Sequence, residues 1–497
     1  MAKRAAEDEE PQTLKAGERP VADAPVVDGE DFEDDFEDEF ESEDEILEAG
    51  VDGRPDEERE AEEKAAGAMD VDQETFIPGR HKLEAGQTLA PDLSTYEMLH
   101  TLEPTWPCLS FDIVKDNLGD NRKSYPATVY AVAGTQAAHD RAKENQIMVM
   151  KLSGLSRNDK AANIDSDDEE DDDEEFSDPI LETKSIPLRS TTNRIRAHQS
   201  PQSSASTPPT TITAAMQETG DVLIHDVTPY LRSFDEPGYQ LPTNPDKPLS
   251  TIRAHKKHEG YALDWSPLIP TGKLLTGDTT GQIFTTTRTE GGGFTTDTTP
   301  YLGHTSSIEE LQWSPSERNV FASASSDRTV KIWDARSKSR HHAISIQVSE
   351  CDANVLSWSH QTPHLLASGH DDGTWSVWDL RQWKSQSQSQ SSQNSKPVPV
   401  AHFSFHLGQI TSVEWHPTDD SIVSVCSGDN TCTLWDLAVE LDDEESRYTA
   451  DVKDVPPQLL FVHYMDQVKE AHWHPQIPGA VMATGGSGFG VFKTISV

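Results

Sequence analysis

The sequence predicts an all-β protein, a closed seven-bladed β-propeller. The first observation is a tryptophan that recurs at one position of five successive units, 45 to 58 residues apart: Trp265, Trp313, Trp358, Trp415 and Trp473. The second is a Trp-Asp pair that closes another strand in three of these units: Trp333-Asp334, Trp378-Asp379 and Trp435-Asp436. Between these marks, short alternating apolar and polar runs are separated by Gly, Asp, Asn and Pro, as in strands joined by tight turns. A repeat of this length fits four strands per unit, and such units close into a ring.

The most complete unit runs from residue 304 to residue 334. It resembles a WD40 repeat, in which a histidine, a serine, an aspartate and a tryptophan form one hydrogen-bonded tetrad. The corresponding residues here are His304, Ser323, Asp327 and Trp333. A buried carboxylate and a buried indole N–H both need partners, so we expect the tetrad to brace its blade.

Other units keep the tetrad less completely. The unit of Trp435 keeps Asp429 but has Val425 at the serine position. The units around Thr276 and Thr484 lose the aspartate and the tryptophan. We expect packing alone to hold those two blades.

Upstream of these units the pattern is weaker. Residues 125–134 and 145–154 look like paired strands, as do residues 211–217 and 222–227, which a Glu-Thr-Gly-Asp turn joins. Counting from these segments gives seven blades. Residues 108–114 alternate like a strand without a local partner, so we expect them to be the outer strand of the last blade. That closure would join the two ends of the propeller and remove an open sheet edge.

A short N-terminal α-helix is predicted within residues 91–103. Ser94 and Glu97 have the spacing of a capping box. We expect the helix to run from residue 95 to residue 102, because Pro104 disfavours helical backbone just before it.

The chain divides into an acidic N-terminal tail, residues 1–80, and a propeller, residues 104–497. The tail has 30 acidic and 8 basic residues, a net charge of -22. The propeller is interrupted by an acidic insert, a Ser/Gln-rich loop and an acidic loop: residues 156–178, 384–398 and 440–455. Because such charged segments bury too little apolar surface to offset chain entropy, we expect the acidic ones to be disordered.

The acidic segments are the main functional lead. Phe32, Phe36 and Phe40 recur every four residues among carboxylates. The carboxylates that we expect to meet a partner lie in both segments: Asp34, Asp35, Glu37, Asp38, Asp168, Glu169, Asp171 and Asp172. Such a polyanion repels nucleic acid and attracts basic proteins such as histones or ribosomal proteins. Ser42 and Ser166 precede acidic residues, a context that suits phosphorylation by an acidophilic kinase.

The sequence contains no pattern typical of catalysis. It has no nucleophile elbow, P-loop or metal-ligand spacing, so we predict no enzyme activity, no cofactor and no metal. The four cysteines form no CxxC pair and are expected to be buried free thiols: Cys108, Cys351, Cys426 and Cys432. No signal peptide and no apolar run of membrane-spanning length is present, so we expect a soluble intracellular monomer without a membrane partner.

Residues 96–114, YEMLHTLEPTWPCLSFDIV, carry a more specific resemblance. Together with the acidic tail, the acidic insert and the late repeats, they resemble the glutamate-rich WD-repeat protein family, over about residues 75–497. Fungal members of that family are regulators of ribosome biogenesis. The resemblance implies a dedicated chaperone that captures the basic N-terminal segment of ribosomal protein uL3 in the cytoplasm. It further implies delivery to the nucleus and nucleolus, where pre-60S assembly factors are the other partners.

The expected contact surface of such a chaperone is the top face, where loops cross the central channel. Five acidic residues lie a few positions before the recurring tryptophans: Glu259, Glu309, Asp352, Glu414 and Glu470. Carboxylates around one rim would pair with successive Lys and Arg residues of the client. We expect no direct nucleic-acid contact, because Lys256-Lys257 is too short for a basic patch.

Two other functions compete with this one. Residues 96–114 also resemble the retinoblastoma-binding histone-binding WD proteins, which grip a histone helix with an N-terminal helix and an acidic loop. An apolar groove beside the N-terminal helix would favour that function. The segments ending at Arg336 and Arg381 match the WDxR ending with which substrate receptors of cullin-type ubiquitin ligases dock on their adaptor. Loss of adaptor binding after changing both arginines would favour the receptor.

Overall fold

The computed structural model describes residues 89–158, 178–200, 210–289, 291–383, 398–439 and 455–497. The chain separates into two units, Met1–Thr75 and Phe76–Val497, and all described residues belong to the second. The acidic tail, most of the acidic insert and the serines at positions 42 and 166 lie outside the described residues. The expectations about their disorder, contacts and phosphorylation therefore stay predictions.

The described residues form 28 strands in seven four-stranded antiparallel sheets, so the prediction of a seven-bladed propeller is confirmed. Blade 1 contains β2 (Cys108–Val114), β3 (Ala127–Thr135), β4 (Gln146–Leu155) and β5 (Ile180–Pro187). Blade 2 contains β6 (Thr192–Ser200), β7 (Thr210–Gln217), β8 (Val222–Asp226) and β9 (Ser250–Ile252). Blade 3 contains β10 (Ala262–Trp265), β11 (Lys273–Gly277), β12 (Ile283–Arg288) and β13 (Phe294–Thr296).

The remaining blades follow in chain order except for one strand. Blade 4 contains β14 (Ile308–Trp313), β15 (Val320–Ser325), β16 (Thr329–Asp334) and β17 (Ile344–Gln347). Blade 5 contains β18 (Ala353–Trp358), β19 (Leu365–His370), β20 (Thr374–Asp379) and β21 (Ala401–Ser404). Blade 6 contains β22 (Ile410–Trp415), β23 (Ile422–Ser427), β24 (Thr431–Asp436) and β25 (Leu459–Tyr464). Blade 7 contains β26 (Glu470–Trp473), β27 (Ala480–Gly485), β28 (Gly488–Thr494) and β1 (Tyr96–Leu102).

Helices are few in the described part of the chain. One α-helix, α1 (Thr228–Asp235), follows β8, and three 3₁₀ turns occur at Leu93–Thr95, His139–Glu144 and Leu380–Gln382. Helix α1 has a proline in its first turn, where the missing N–H costs no hydrogen bond. Its Tyr230 is buried in the cluster between blades 1 and 2. No helix among the described residues is both long enough and apolar enough to cross a membrane.

The core lies between neighbouring blades rather than in one central cluster. The first strand of each blade is the innermost, and these seven strands contact one another in a closed ring. Because strand side chains alternate, one face of each sheet packs on the preceding blade and the other on the next. Between blades 5 and 6, for example, Trp375 and Trp415 share a buried cluster with Trp435.

The predicted N-terminal helix is wrong, because residues Tyr96–Leu102 form strand β1. Asp92 instead caps a short 3₁₀ turn by accepting from the backbone N–H of Ser94 at 3.0 Å. Glu97, expected in the capping box, is 2.8 Å from Lys493 Nζ. The local helix signal is outweighed because β1 pairs with the otherwise open edge of β28 and buries alternate side chains there.

The expected position of residues 108–114 is also wrong. They form β2, which pairs with β3 and is the inner strand of blade 1 rather than the outer strand of the last blade. The closure itself exists, but β1 provides it. Residues 96–102 and 108–114 both alternate apolar and polar side chains, and both precede the clear repeats. Only the pairing of residues 96–102 with Phe489–Thr494 shows which of the two completes blade 7.

Two strand pairs predicted upstream are confirmed. β3 pairs with β4, and β7 pairs with β8, with the expected turn between the latter two. Each inner strand begins at one face of the ring, where the turn between the second and third strands of its blade also lies. We call this the top face.

Candidate functional site

The tetrad of blade 4 forms a continuous hydrogen-bonded chain. His304 Nδ1 lies 2.8 Å from Asp327 Oδ2, and His304 Nε2 lies 2.6 Å from Ser323 Oγ. The indole N–H of Trp333 donates to the same Ser323 oxygen at 2.8 Å. Burial opposes ionisation of Asp327, but its hydrogen bond with His304 keeps the pKa of this carboxyl below its usual value. The tetrad therefore braces the top-face turn of the blade against its core.

Blade 6 builds an equivalent tetrad from a different strand. Val425 occupies the serine position, and Thr433 supplies the hydroxyl from β24 instead. Trp435 Nε1 donates to Thr433 Oγ1 at 2.7 Å, and His406 Nε2 lies 3.0 Å from the same oxygen. His406 Nδ1 lies 3.2 Å from Asp429 Oδ2. A hydroxyl two residues before the tryptophan is the sequence signal for this substitution.

The expectation that the units of Thr276 and Thr484 rely on packing alone is wrong. His255 lies 2.8 Å from Asp278 Oδ2 and 2.7 Å from Thr276 Oγ1. In this blade the aspartate follows the threonine after two positions instead of four, so spacing taken from blade 4 misses it. In blade 7 the hydroxyl of Thr484 donates to the carbonyl of Cys108 at 3.0 Å and joins the last blade to the first.

Recurring tryptophans such as Trp415 and Trp473 tie their inner strands to the preceding blades. The indole N–H of Trp415 donates to the carbonyl of Ser357 at 3.1 Å, and that of Trp473 donates to the carbonyl of Glu414 at 3.2 Å. Each acceptor directly precedes the tryptophan of its own blade. The side chain at this preceding position faces the channel or the next strand, as shown by Asp264 Oδ2, which accepts from the backbone N–H of Trp313 at 2.6 Å.

An ion-pair network fills the channel. Arg194 of blade 2 contacts Glu470 of blade 7 and lies 3.0 Å from Glu310 of blade 4. Arg196 is 3.2 Å from Glu470, and His472 Nδ1 is 2.8 Å from Glu414 Oε2. Blades 4 and 7 are not neighbours, so side chains that share one arginine must meet inside the ring.

Burial and pairing set the charges of this network. Burial opposes the charged form of His472, but the Glu414 carboxylate raises the pKa of this imidazole to about 10. Burial likewise opposes ionisation of Glu470, but the Arg196 and Arg194 guanidiniums hold its pKa well below the usual value. Burial raises the pKa of Asp264 to about 8. The channel thus holds its own counter-charges.

Two of the five acidic residues predicted for the rim are therefore misplaced. Glu470 is 3% exposed and lies inside the channel with arginine partners. Glu414 is the second-last residue of β22, and β22 begins at the top face, so Glu414 lies away from the rim. It pairs with His472. The sequence missed these partners because they come from blades 2 and 7, which no local spacing connects.

The other three predicted residues lie at the top face. Glu259 belongs to the loop before β10, Glu309 is the second residue of β14, and Asp352 directly precedes β18. All three are partly exposed. Within the described ranges, none of them forms an ion pair shorter than 4 Å. Glu309 accepts a hydrogen bond from Ser326 Oγ at 2.9 Å.

The structure gathers two of these residues with one that sequence reasoning missed. Burial, and then the nearby carboxylates of Glu259, Glu309 and Glu218, raise the pKa of Tyr261. Glu218 begins the top-face turn between β7 and β8, so its position in the predicted turn was the available signal. We call Glu218, Glu259 and Glu309 the acidic rim. Partly exposed carboxylates around a tyrosine can accept hydrogen bonds from Lys and Arg side chains.

The two WDxR segments have the same local geometry. The guanidinium of Arg336 lies 2.8 Å from Asp334, and that of Arg381 lies 2.8 Å from Asp379. Both arginine side chains are largely exposed, on adjacent blades at the face opposite the acidic rim. Adaptor docking at this pair stays a prediction.

In the part of the chain that the structure describes, neither the thiols nor the other metal-binding side chains form a metal centre. All four cysteines are free, and Cys351 is partly exposed in the loop before β18, whereas the other three are buried. Among the described residues, no group of three His, Cys, Asp or Glu side chains is placed to hold a metal ion.

Two family models match parts of the chain. The model described as "WD domain, G-beta repeat" matches residues 296–334, 343–379 and 397–436. The model of the histone-binding protein RBBP4, which also covers a component of the CAF1 complex, matches residues 86–156, which include β1 to β4.

Full-length relatives decide the family. The chain is 44% identical over 503 residues to Ribosome assembly protein rrb1 of Schizosaccharomyces pombe, with 100% of each chain covered. It is 40% identical over 434 residues to Glutamate-rich WD repeat-containing protein 1 of Dictyostelium discoideum, covering 84% of each. The chain belongs to the glutamate-rich WD-repeat protein family. Another relative, Protein HEAT STRESS TOLERANT DWD 1 of Arabidopsis thaliana, is 38% identical over 469 residues, covering 88% of this chain and 95% of that protein.

The family assignment confirms the resemblance that residues 96–114 and the acidic segments indicated. In this member of the glutamate-rich WD-repeat family, the same residues form β1 and β2, which begin the ring and close it. This segment therefore contributes a strand to the last blade and a strand to the first blade of the propeller.

Proposed function

We propose that this glutamate-rich WD-repeat protein is a non-catalytic chaperone of ribosomal protein uL3 in 60S subunit assembly. The observation that carries the proposal is the acidic rim, whose carboxylates have no cationic partner among the described residues, in a chain similar along its full length to a ribosome assembly protein. Nucleolar delivery after capture in the cytoplasm follows from the same role.

The acidic rim suits a basic, extended segment. Glu218, Glu259 and Glu309 come from three consecutive blades, so a peptide crossing the top face would meet them in succession. Exposed pairs of this kind each contribute little, about 1 kcal/mol or less. A client with several Lys and Arg residues would nevertheless add such contacts. The 46 excess negative charges of the chain would speed its approach.

The channel network limits how the client binds. Arg194 and Arg196 already pair with Glu310 and Glu470, so an arginine of the client would have to displace them to reach these carboxylates. The proposal therefore places the client across the top face and not through the ring.

A binding experiment with the full-length protein tests this function. A labelled peptide from the basic N-terminal segment of uL3 is compared with a scrambled peptide of equal charge. Glu259→Gln together with Glu309→Gln should weaken binding of the uL3 peptide about 5- to 30-fold, if each contributes about 0.5–1 kcal/mol. The matched control is Glu317→Gln, an exposed glutamate between β14 and β15 at the opposite face. Equal binding of both peptides, or equal effects of rim and control variants, would contradict a dedicated top-face site.

Histone binding is the second candidate, and the family model over residues 86–156 favours it. Within that segment, Tyr96–Leu102 form β1 rather than the expected helix. The described residues therefore provide no groove beside an N-terminal helix. A histone-tail peptide of equal charge belongs in the same experiment. Preference for it over the uL3 peptide would make the protein a histone chaperone.

A further inference from the structure

Two cysteines of blade 6 face each other across adjacent strands. Cys426 of β23 and Cys432 of β24 are direct register partners. Their exposures are 1% and 0%, and both thiols are free. Register partners of antiparallel strands direct their side chains to the same face of the sheet, so the two thiols lie side by side.

The turn between the strands defines what kind of pair this is. Asn430 has a φ of 71°, and its N–H donates to the carbonyl of Ser427 at 3.2 Å. A left-handed residue at the end of such a turn makes Ser427 and Thr431 the hydrogen-bonded pair. Pairs alternate along antiparallel strands, so Cys426 and Cys432 form a non-hydrogen-bonded pair, with Cα atoms about 4.5 Å apart. Disulfides span Cα distances of roughly 4.4–6.8 Å, so this pair can be bridged without moving the backbone.

The closure of the propeller covers both thiols. They belong to the buried cluster between blades 6 and 7, together with Tyr96 of β1 and Phe492 of β28. The hydroxyl of Tyr96 is 2.9 Å from Nδ1 of His463, which is the register partner of Cys432 on its other side. Burial, and then the neighbouring Cys432 thiol, raise the pKa of Cys426 well above its usual value. The pair is therefore unreactive while β1 is in place.

We propose that Cys426 and Cys432 are an oxidative modification site, where a reversible disulfide forms when the seam between blades 6 and 7 opens. With hydrogen peroxide as oxidant, one thiolate attacks the peroxide, forming a sulfenic acid and releasing hydroxide, which becomes water. The second thiol attacks the sulfenic sulfur, the S–S bond forms and a second water leaves. The two thiols lose two hydrogen atoms, which the peroxide accepts. This site is independent of the proposed client.

Mass spectrometry of the full-length protein tests the site. Cys351→Ser removes the partly exposed thiol, and the protein is treated with hydrogen peroxide, unfolded, alkylated and digested with trypsin. Cys426 and Cys432 share one tryptic peptide, residues 385–447, because trypsin does not cleave between Lys396 and Pro397 and no other Lys or Arg precedes Arg447 within it. The expected product is the unalkylated peptide, with a mass two hydrogen atoms below that of the dithiol form. If the sample is first reduced, the same peptide should carry two alkyl groups. Two alkylated thiols, or a sulfinic acid on either, would overturn the proposal.

Two variants provide the controls. In Cys432→Ser the light, unalkylated peptide should not appear, because the resolving thiol is gone. Met98→Ala, which weakens β1 without touching the cysteine cluster, should speed disulfide formation at least several-fold. An unchanged rate would show that opening of the closure does not control the reaction and would overturn that part of the proposal.

Discussion

Asp264 illustrates how burial sets the protonation of a single residue in this channel. Its carboxyl accepts a hydrogen bond from the backbone of Trp313, yet burial raises its pKa to about 8. The unfolded chain loses this proton near pH 4. Between about pH 4 and pH 8 the folded state therefore binds more protons, so stability falls as pH rises through this window and the loss is complete above pH 8.

Asp264→Asn should remove this pH dependence, because the amide oxygen still accepts from Trp313 and carries no charge. One pKa unit corresponds to about 1.4 kcal/mol. As the pH rises from 5 to 9, the free energy of unfolding of the variant should increase relative to that of the native protein by roughly a few kcal/mol. Denaturant unfolding at both pH values measures this difference. Asp371→Asn, at an exposed aspartate, is the control. If Asp264→Asn changes the free energy of unfolding equally at pH 5 and pH 9, the Asp264 carboxyl does not cause the pH dependence.

Ser323 is a second residue whose contribution to stability can be measured by a single substitution. Its hydroxyl is shared by His304 and Trp333, so Ser323→Ala leaves two buried polar groups without their partner. We expect a loss of about 1–3 kcal/mol in the free energy of unfolding. Chemical denaturation measures it, with the exposed Ser339→Ala as control. A loss no larger than that of the control would mean that the tetrad does not brace blade 4.

At the scale of elements, the sequence predicts repeats better than boundaries. The recurring tryptophans predict the blades correctly because each indole is buried at the last position of an inner strand. Residues 96–102 were misread because a capping-box spacing is local, whereas the free edge of β28 lies nearly 400 residues away in the chain. The rim prediction failed for Glu470 for the same reason, since its arginine partners belong to blade 2.

The closing strand should matter for the stability of the whole ring. Met98 is fully buried in β1, and Thr101 on the same strand is exposed. Met98→Ala should cost about 2–5 kcal/mol, and Thr101→Ala should cost little. Thermal unfolding followed by circular dichroism compares the two. Similar, small effects would indicate that β1 is dispensable for closure.

At the scale of the molecule, Arg194 connects blades that do not touch. It pairs with Glu310 across the channel and with Glu470 of the closing blade, so it links blades 2, 4 and 7. A buried ion pair adds little net stability, but removing one partner leaves an uncompensated charge. We therefore expect the network to favour one arrangement of the blades over others more than it adds to the free energy of folding.

Arg194→Met should consequently destabilise the whole propeller by about 3–5 kcal/mol, because Glu310 and Glu470 lose a shared counter-charge in a buried site. Adding Glu310→Gln should recover part of that loss, since one of the stranded charges is gone. Arg336→Met removes an exposed arginine and is the control. Denaturant unfolding monitored by tryptophan fluorescence gives all four stabilities, and the eleven tryptophans report from most blades at once. If the double variant is no more stable than Arg194→Met, the arginine acts through packing rather than charge. If separate transitions replace a single one, the network is what makes the seven blades unfold together.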